Sequence, residues 1–205
     1  FKRDFIELGA FPTYTLPYHT RTIHLFLEGQ EGTHLVALEA FVDPKRPKLY
    51  PLSIVLWPSA QHIFAPITRQ LSTKGRIANI GDLVIPKPYM NFVMEVYEDD
   101  QRCDKSKLPF KLKDILKSVH QNPRILDPVF KIRYMTLWVD RAKVNSYGLS
   151  KAGVQIKNSI RHQFKHLIPR YSWDIMIHLA DNNKHTKSME KLIDRIIAYR
   201  KSNHE

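Results

Sequence analysis

A chain of 205 residues with 43% hydrophobic and 25% charged side chains can close a sizeable core, which excludes disorder along its whole length. Its one cysteine, Cys103, rules out an internal disulfide framework and any CxxC zinc or thioredoxin motif. The net charge of +12 is unevenly spread: residues 1–100 hold ten Lys and Arg against eleven Asp and Glu, whereas residues 101–205 hold 22 against nine.

The first hundred residues read as β-rich. Thr22–Glu28 alternates apolar and polar side chains, Gly29-Gln30-Glu31-Gly32 supplies a turn, and His34–Val42 returns as a second strand. Asp43-Pro44 breaks that strand, and Tyr50–Trp57 follows as a third, closed by Pro58. Ile63–Leu71 has helical spacing interrupted by Pro66, and Asn91–Glu98 reads as a fourth strand. Beyond a polar stretch from Asp99 to Lys107, Pro109–Val119 reads as a helix and Lys131–Asp140 as a strand. Ser150–Ile168 is the clearest helix and stops at Pro169. Trp173–Ala180 is a nearly continuous apolar run, as in a strand covered on both faces. Lys184–Lys201 is a last helix, with Met189, Leu192, Ile193, Ile196 and Ile197 at core spacing.

This order predicts an α+β fold: a mixed, largely antiparallel sheet with helices packed on it and a C-terminal β-α-β-α segment. It predicts one domain over residues 1–205, subdivided if anywhere near 99–107 into a β-rich 1–98 and a basic 108–205. Apolar stretches such as Leu52–Trp57 run to about six residues, against roughly 20 for a membrane span, so no transmembrane segment is expected. Phe1 in place of Met reads as an excised or processed chain with no signal peptide left to see. An intracellular location is expected, its compartment open.

The basic excess concentrates on the helix at Ser150–Ile168. On a wheel of 100° per residue, Leu149, Gly153, Ile156, Ile160, Phe164 and Leu167 share an arc of roughly 80°. Lys157, Arg161 and Lys165 recur every four residues outside it, with Lys151 at the helix start and Arg170 beyond its end. No carboxylate interrupts this helix, although ordinary solvated faces mix signs to gain pairing. Like charges four apart repel, and a bound polyanion would offset that by releasing counterions. Lys151, Lys157, Arg161, Lys165 and Arg170 are therefore the candidate nucleic-acid-binding residues. Tyr147, Tyr171 and Trp173 flank the helix and fit either base stacking or the core. His162 and His166 have metal-ligand spacing but lack the intervening Glu of HExxH and a third ligand.

Carboxylates supply a competing reading. Glu95, Glu98, Asp99 and Asp100 crowd the end of the fourth expected strand, where hard oxygen ligands suit Mg²⁺ or Mn²⁺. Glu95, Asp99 and Asp100 are the candidate metal ligands, and these three with Asp181 the candidate catalytic residues. The run fits a DxD-like element. Asp82 and Glu95 enclose the strand as the carboxylates of a PD-(D/E)xK nuclease would, but Gly81 replaces the proline and Tyr97 the lysine. An acidic turn between a strand and a linker is the simpler reading of the run. Asp181 or Asn183 would cap the last helix, and Glu39, on an apolar strand face, is either a buried carboxylate or a wet edge residue. GxSxG, GxxxxGK[ST] and GxGxxG do not occur, which speaks against the usual nucleophile elbow and phosphate loops.

The expected function is a basic nucleic-acid-binding domain, non-enzymatic and a candidate ribonucleoprotein component. No cofactor is expected, and the partner is RNA or another polyanion. RNA is favoured because no helix-turn-helix, zinc-finger or basic-zipper pattern is present to read a major groove. The alternative is a metal-dependent nuclease or nucleotide-sugar transferase using Glu95–Asp100 with Mg²⁺ or Mn²⁺.

Overall fold

The computed structural model describes residues 20–29, 32–41, 49–89, 91–100, 103–126, 129–140, 144, 148–172 and 175–203, with backbone alone for residues 20–41. The chain falls into two units, residues 1–47 and 48–205. In the first, β1 (Thr20–Gly29) and β2 (Gly32–Phe41) form an antiparallel hairpin in which Gly29 faces Gly32 and Thr22 faces Glu39. Two alternating runs separated by a glycine-flanked turn produce this pairing, as the sequence implied. The side chain of Glu39 lies outside the described residues.

The second unit is built on a four-stranded sheet of β3 (Leu49–Leu56), β4 (Arg76–Val84), β5 (Lys131–Asp140) and β6 (Ile177–Leu179). Their order is β4-β5-β3-β6, and every neighbouring pair is antiparallel. Five helices accompany them among the described residues: α1 (Phe64–Ser72), α2 (Phe92–Val96), α3 (Leu108–His120), α4 (Lys151–Phe164) and α5 (Asn183–Ser202). The fold is thus α+β, ending in β5-α4-β6-α5. The polar stretch 99–107 lies inside this unit.

Residues Leu52 to Leu56 of β3 are all buried, Ser53 included. A strand reads as an unbroken apolar run when both its faces are covered, and here each face has its own helix. On one face Leu52 sits opposite Leu137, and Ile54 lies between Met135 and Leu179. α4 packs there because residue 153 is glycine: a Cβ at Gly153 would lie 2.9 Å from Leu179 and 3.4 Å from Leu52. On the other face Thr186 of α5 donates to the Pro51 carbonyl at 3.2 Å and accepts from the Ser53 amide at 3.3 Å. The Thr136 hydroxyl donates to Glu190 at 2.9 Å, so this hydroxyl buried under α5 is satisfied.

Several elements differ from the sequence-based expectation. Asn91–Glu98 is not a strand: Phe92, Val93 and Val96 form the buried face of the short helix α2, and Glu98–Asp100 is a turn. Its aromatic and β-branched residues favour strands only weakly, and packing of positions 92, 93, 96 and 97 on one helical face overrides that preference. Pro66 does not break α1, since it stands in the first turn, where amide groups have no intrahelical acceptor to lose. The N-cap of α5 is Asn182, accepting from the His185 amide at 2.9 Å, rather than Asp181 or Asn183. Described residues of the Trp173–Ala180 run give only the three-residue β6, extended by Trp57 donating to the Met176 carbonyl at 2.9 Å and Ala180 to that of Ser53 at 2.8 Å.

β4 has no counterpart in the sequence reading. Its register with β5 shifts between Ala78 and Gly81, Asn79 takes a left-handed φ of 51°, and Ile80 is exposed. Such a bulge on an edge strand destroys the two-residue period by which a strand is recognised. Just before it, a Cβ at Gly75 would overlap the Trp138 carbonyl oxygen. Gly75→Ala is therefore expected to destabilise the unit by about 2 kcal/mol, because backbone rather than a movable side chain must yield. A urea midpoint equal to that of the parent chain would refute this.

Candidate functional site

β6 is the outer strand of its sheet, and its one neighbour in the order is β3. Along its other side opens a cleft of about 490 Å³, bordered by α3 and the residue after α2 on one flank and by α4 on the other. Four cations line it, and three of them are at least half-buried, the exception being Lys107. Lys157 and Arg161, successive turns of α4, are half-buried rather than fully solvated. The Arg161 guanidinium donates through Nη2 to the Ile177 carbonyl at 3.3 Å, engaging β6, while Lys157 Nζ lies 3.3 Å from Asp181 Oδ1. Lys111, from α3, is 8% exposed and is the deepest of the three.

Lys111 is held by aromatic groups. Its ammonium donates to the Tyr97 hydroxyl and sits 4.7 Å from the Tyr97 ring centroid and 5.8 Å from that of Trp57. Trp57 and Tyr97 stack with an interplanar angle of 11°, and Tyr97 meets His178 edge-on at 4.2 Å. This places Lys111 against electron-rich rings as well as a hydroxyl oxygen, a partial substitute for lost hydration. Behind the cleft, His185 Nε2 lies 2.7 Å from the Val96 carbonyl and 3.3 Å from His178 Nε2. A carbonyl only accepts, so His185 Nε2 carries a hydrogen and the facing nitrogen of His178 is the acceptor.

His178 reports the electrostatics of the cleft. Burial holds its pKa well below the ordinary 6.5, and His185, Lys157, Lys111 and Arg161 all push it further down. The imidazole is thus neutral at pH 7. Four cations, Lys107, Lys111, Lys157 and Arg161, share the recess with the carboxylates of Asp100, Asp104 and Asp181.

Of the sequence candidates, Lys157 and Arg161 enter the cleft, whereas Lys151, Lys165 and Arg170 are exposed, Arg170 with a left-handed φ of 51°. Asp100 and Asp181 line the cleft with them. Glu95 and Asp99 point elsewhere: Glu95 pairs with Arg195 of α5, and Asp99 with Lys184 at 2.7 Å. Hydrogen bonds from Lys184 and Ser188 hold the Asp99 carboxyl below its usual range. Glu95, Asp99 and Asp100 are therefore not gathered on one centre, and among the described residues no three His, Cys, Asp or Glu side chains converge to hold a metal ion. His162 and His166 are exposed. Tyr171 packs against the core, and Tyr147 and Trp173 lie outside the described residues. Burial, then Asp100, push the Cys103 thiol up, disfavouring the thiolate a nucleophile needs.

Sequence reasoning missed Lys111. Its signal was a lysine inside an apolar helical seam, with Leu108, Lys111, Ile115 and Val119 all buried at spacings of three, four and four. A cation at such a position is stranded in the core unless a partner or a cavity meets it.

The buried His178 predicts an acid sensitivity. A histidine whose folded-state pKa is depressed contributes stability that is present above the unfolded value of 6.5 and lost as the pH falls from there through the folded value. His62, lowered chiefly by burial, acts in the same direction. Asp82, held low first by its hydrogen bond from Arg133, contributes only in a separate window below 3.8. The urea midpoint is expected to decline as the pH is lowered from 6.5, and His178→Phe to flatten that decline. A midpoint constant between pH 6.5 and 5 would contradict it.

No family model matches this chain, and comparison with curated proteins and with solved structures returns no significant match. Among the described residues no helix is long and apolar enough to cross a membrane.

Proposed function

We propose that this chain binds single-stranded nucleic acid, RNA in preference to duplex DNA, as a non-enzymatic basic domain of the kind found in ribonucleoprotein assemblies. The observation that carries the reading is the convergence of Lys111, Lys157 and Arg161 on one recess, with the exposed cations Lys151, Lys165 and Arg170 on α4 and just beyond it. Phosphate contacts of this sort set affinity and register rather than sequence preference. A cavity of about 490 Å³ suits one nucleotide-sized group, whereas duplex reading requires a helix or ribbon laid into a wide groove.

Anisotropy titration of a labelled single-stranded RNA at about 50 mM and about 200 mM salt tests the proposal. Affinity should fall steeply between the two, as counterion release requires. A flat response, or no binding at the lower salt, rejects it. Glu95→Ala and Asp99→Ala should leave this affinity unchanged. Mg²⁺- or Mn²⁺-dependent turnover abolished by either substitution would instead establish the enzymatic alternative.

A further inference from the structure

We infer that the cleft beside β6 is a receptor for a terminal phosphate monoester of the bound strand, with Lys111 at its floor and Arg161 and Lys157 on its wall. This rests on the nucleic-acid reading and sharpens it, because the recessed cations and the exposed ones then have different tasks.

The argument begins with depth. An internal phosphodiester carries one charge and is flanked by sugars on both sides, so a continuous strand is held by cations standing on a surface. Lys151, Lys165 and Arg170 stand that way. Lys111 does not: it is 8% exposed, and the Lys157 side chain is only 15% exposed. A phosphate reaching them must project from its strand into the recess, as a chain end does.

Charge makes the same distinction. Asp181 shares the cleft and neutralises part of Lys157, and Asp104 pairs with Lys107 at 3.2 Å. Asp100 adds a further carboxylate to the lining. Against that background a singly charged diester gains little. A monoester, carrying close to two charges at neutral pH, gains about twice as much from the same positive potential. The recess also offers neutral donors suited to a phosphoryl group's several oxygens. The Tyr97 hydroxyl borders the cleft beside the Lys111 ammonium. Asn158, one residue after Lys157, brings an amide to the same cleft.

The test compares one RNA of about 12 nucleotides in three forms, with a 5′-phosphate, with a 3′-phosphate and with hydroxyls at both ends, against the intact chain at low salt. At least one phosphorylated form should bind about tenfold or more tightly than the hydroxyl form, the gain of an added charge-assisted hydrogen bond. Which form gains identifies the end. Lys111→Met should abolish the advantage, bringing the phosphorylated forms down to the affinity of the hydroxyl form measured with the same variant. Arg161→Gln, which alters no buried lysine, should reduce it and serves if the first variant folds poorly. Equal affinity of all three forms overturns the end receptor but leaves strand binding standing. Failure of every form to bind overturns both.

Discussion

A chain carrying Lys151→Ala, Lys165→Ala and Arg170→Gly together is expected to bind single-stranded RNA about fiftyfold more weakly at about 0.15 M salt. The figure follows from counterion release: each lost phosphate contact on a single strand removes about 0.7 from the slope of log affinity against log salt, so three remove about 2. All three side chains are exposed, so their removal takes nothing from the core. The Arg170 substitution is to glycine because its φ of 51° is left-handed, a conformation that costs a side-chain-bearing residue about 1 kcal/mol and glycine little. The triple variant should therefore be at least as stable as the parent, and a binding loss cannot be assigned to unfolding. Titrations over a salt series measure slope and affinity together. An unchanged slope would mean that these cations touch no phosphate, and the exposed part of the proposed surface would fall.

The second large effect is on stability. Lys157→Met should destabilise the second unit by about 3 kcal/mol, because it leaves the Asp181 carboxylate, with a side chain only 7% exposed, without its ammonium. Removing one member of a buried pair costs more than the pair is worth, since the remaining charge was desolvated on the understanding of a partner nearby. The lower end of the usual range applies because Lys157 keeps some contact with water. Lys157→Met combined with Asp181→Asn should recover most of the loss, and the double-mutant cycle isolates the interaction from the packing of the methylene stem. If the single variant unfolds at the parent's urea concentration, or the second substitution adds to the damage, the pair is not the buried contact described here.

These predictions turn on residues that differ in how visible they were in the sequence. Periodicity located β3, β5, α3, α4 and α5 to within a few residues, because one apolar face per element is a local record of burial. It failed at α2, where five residues rich in Phe and Val are too few to establish a helical period, and at β4, where the bulge at Asn79 and Gly81 erases the alternation. Charge counting found the basic half of the chain. It could not tell that Lys157 and Arg161 would enter a recess while Lys151 and Lys165 stayed in water, since all four lie on the polar side of the same helix.

The carboxylates show the same limit from the other side. Glu95, Asp99 and Asp100 are neighbours in sequence, where they read as a candidate cation site. The helical turn at α2 and the bend after it send Glu95 and Asp99 toward Arg195 and Lys184 on α5, and Asp100 into the cleft. Adjacency along a chain becomes adjacency in space only when the backbone between is extended or helical over the right interval.

By itself, then, the order of residues determined the α+β class, the apolar strand at Tyr50–Trp57, the basic helix after Leu149 and the sign of the C-terminal charge. The first three follow from where apolar side chains fall along the chain, and the last from a count of its ionisable residues. Tertiary structure alone decided that Lys111 from α3, Tyr97 after α2, Arg161 from α4 and His178 from β6 would share one cavity. These groups are separated by up to 81 residues along the chain. What joins them is the placing of β6 at the sheet edge, an arrangement set by which strands pair and not by any local pattern.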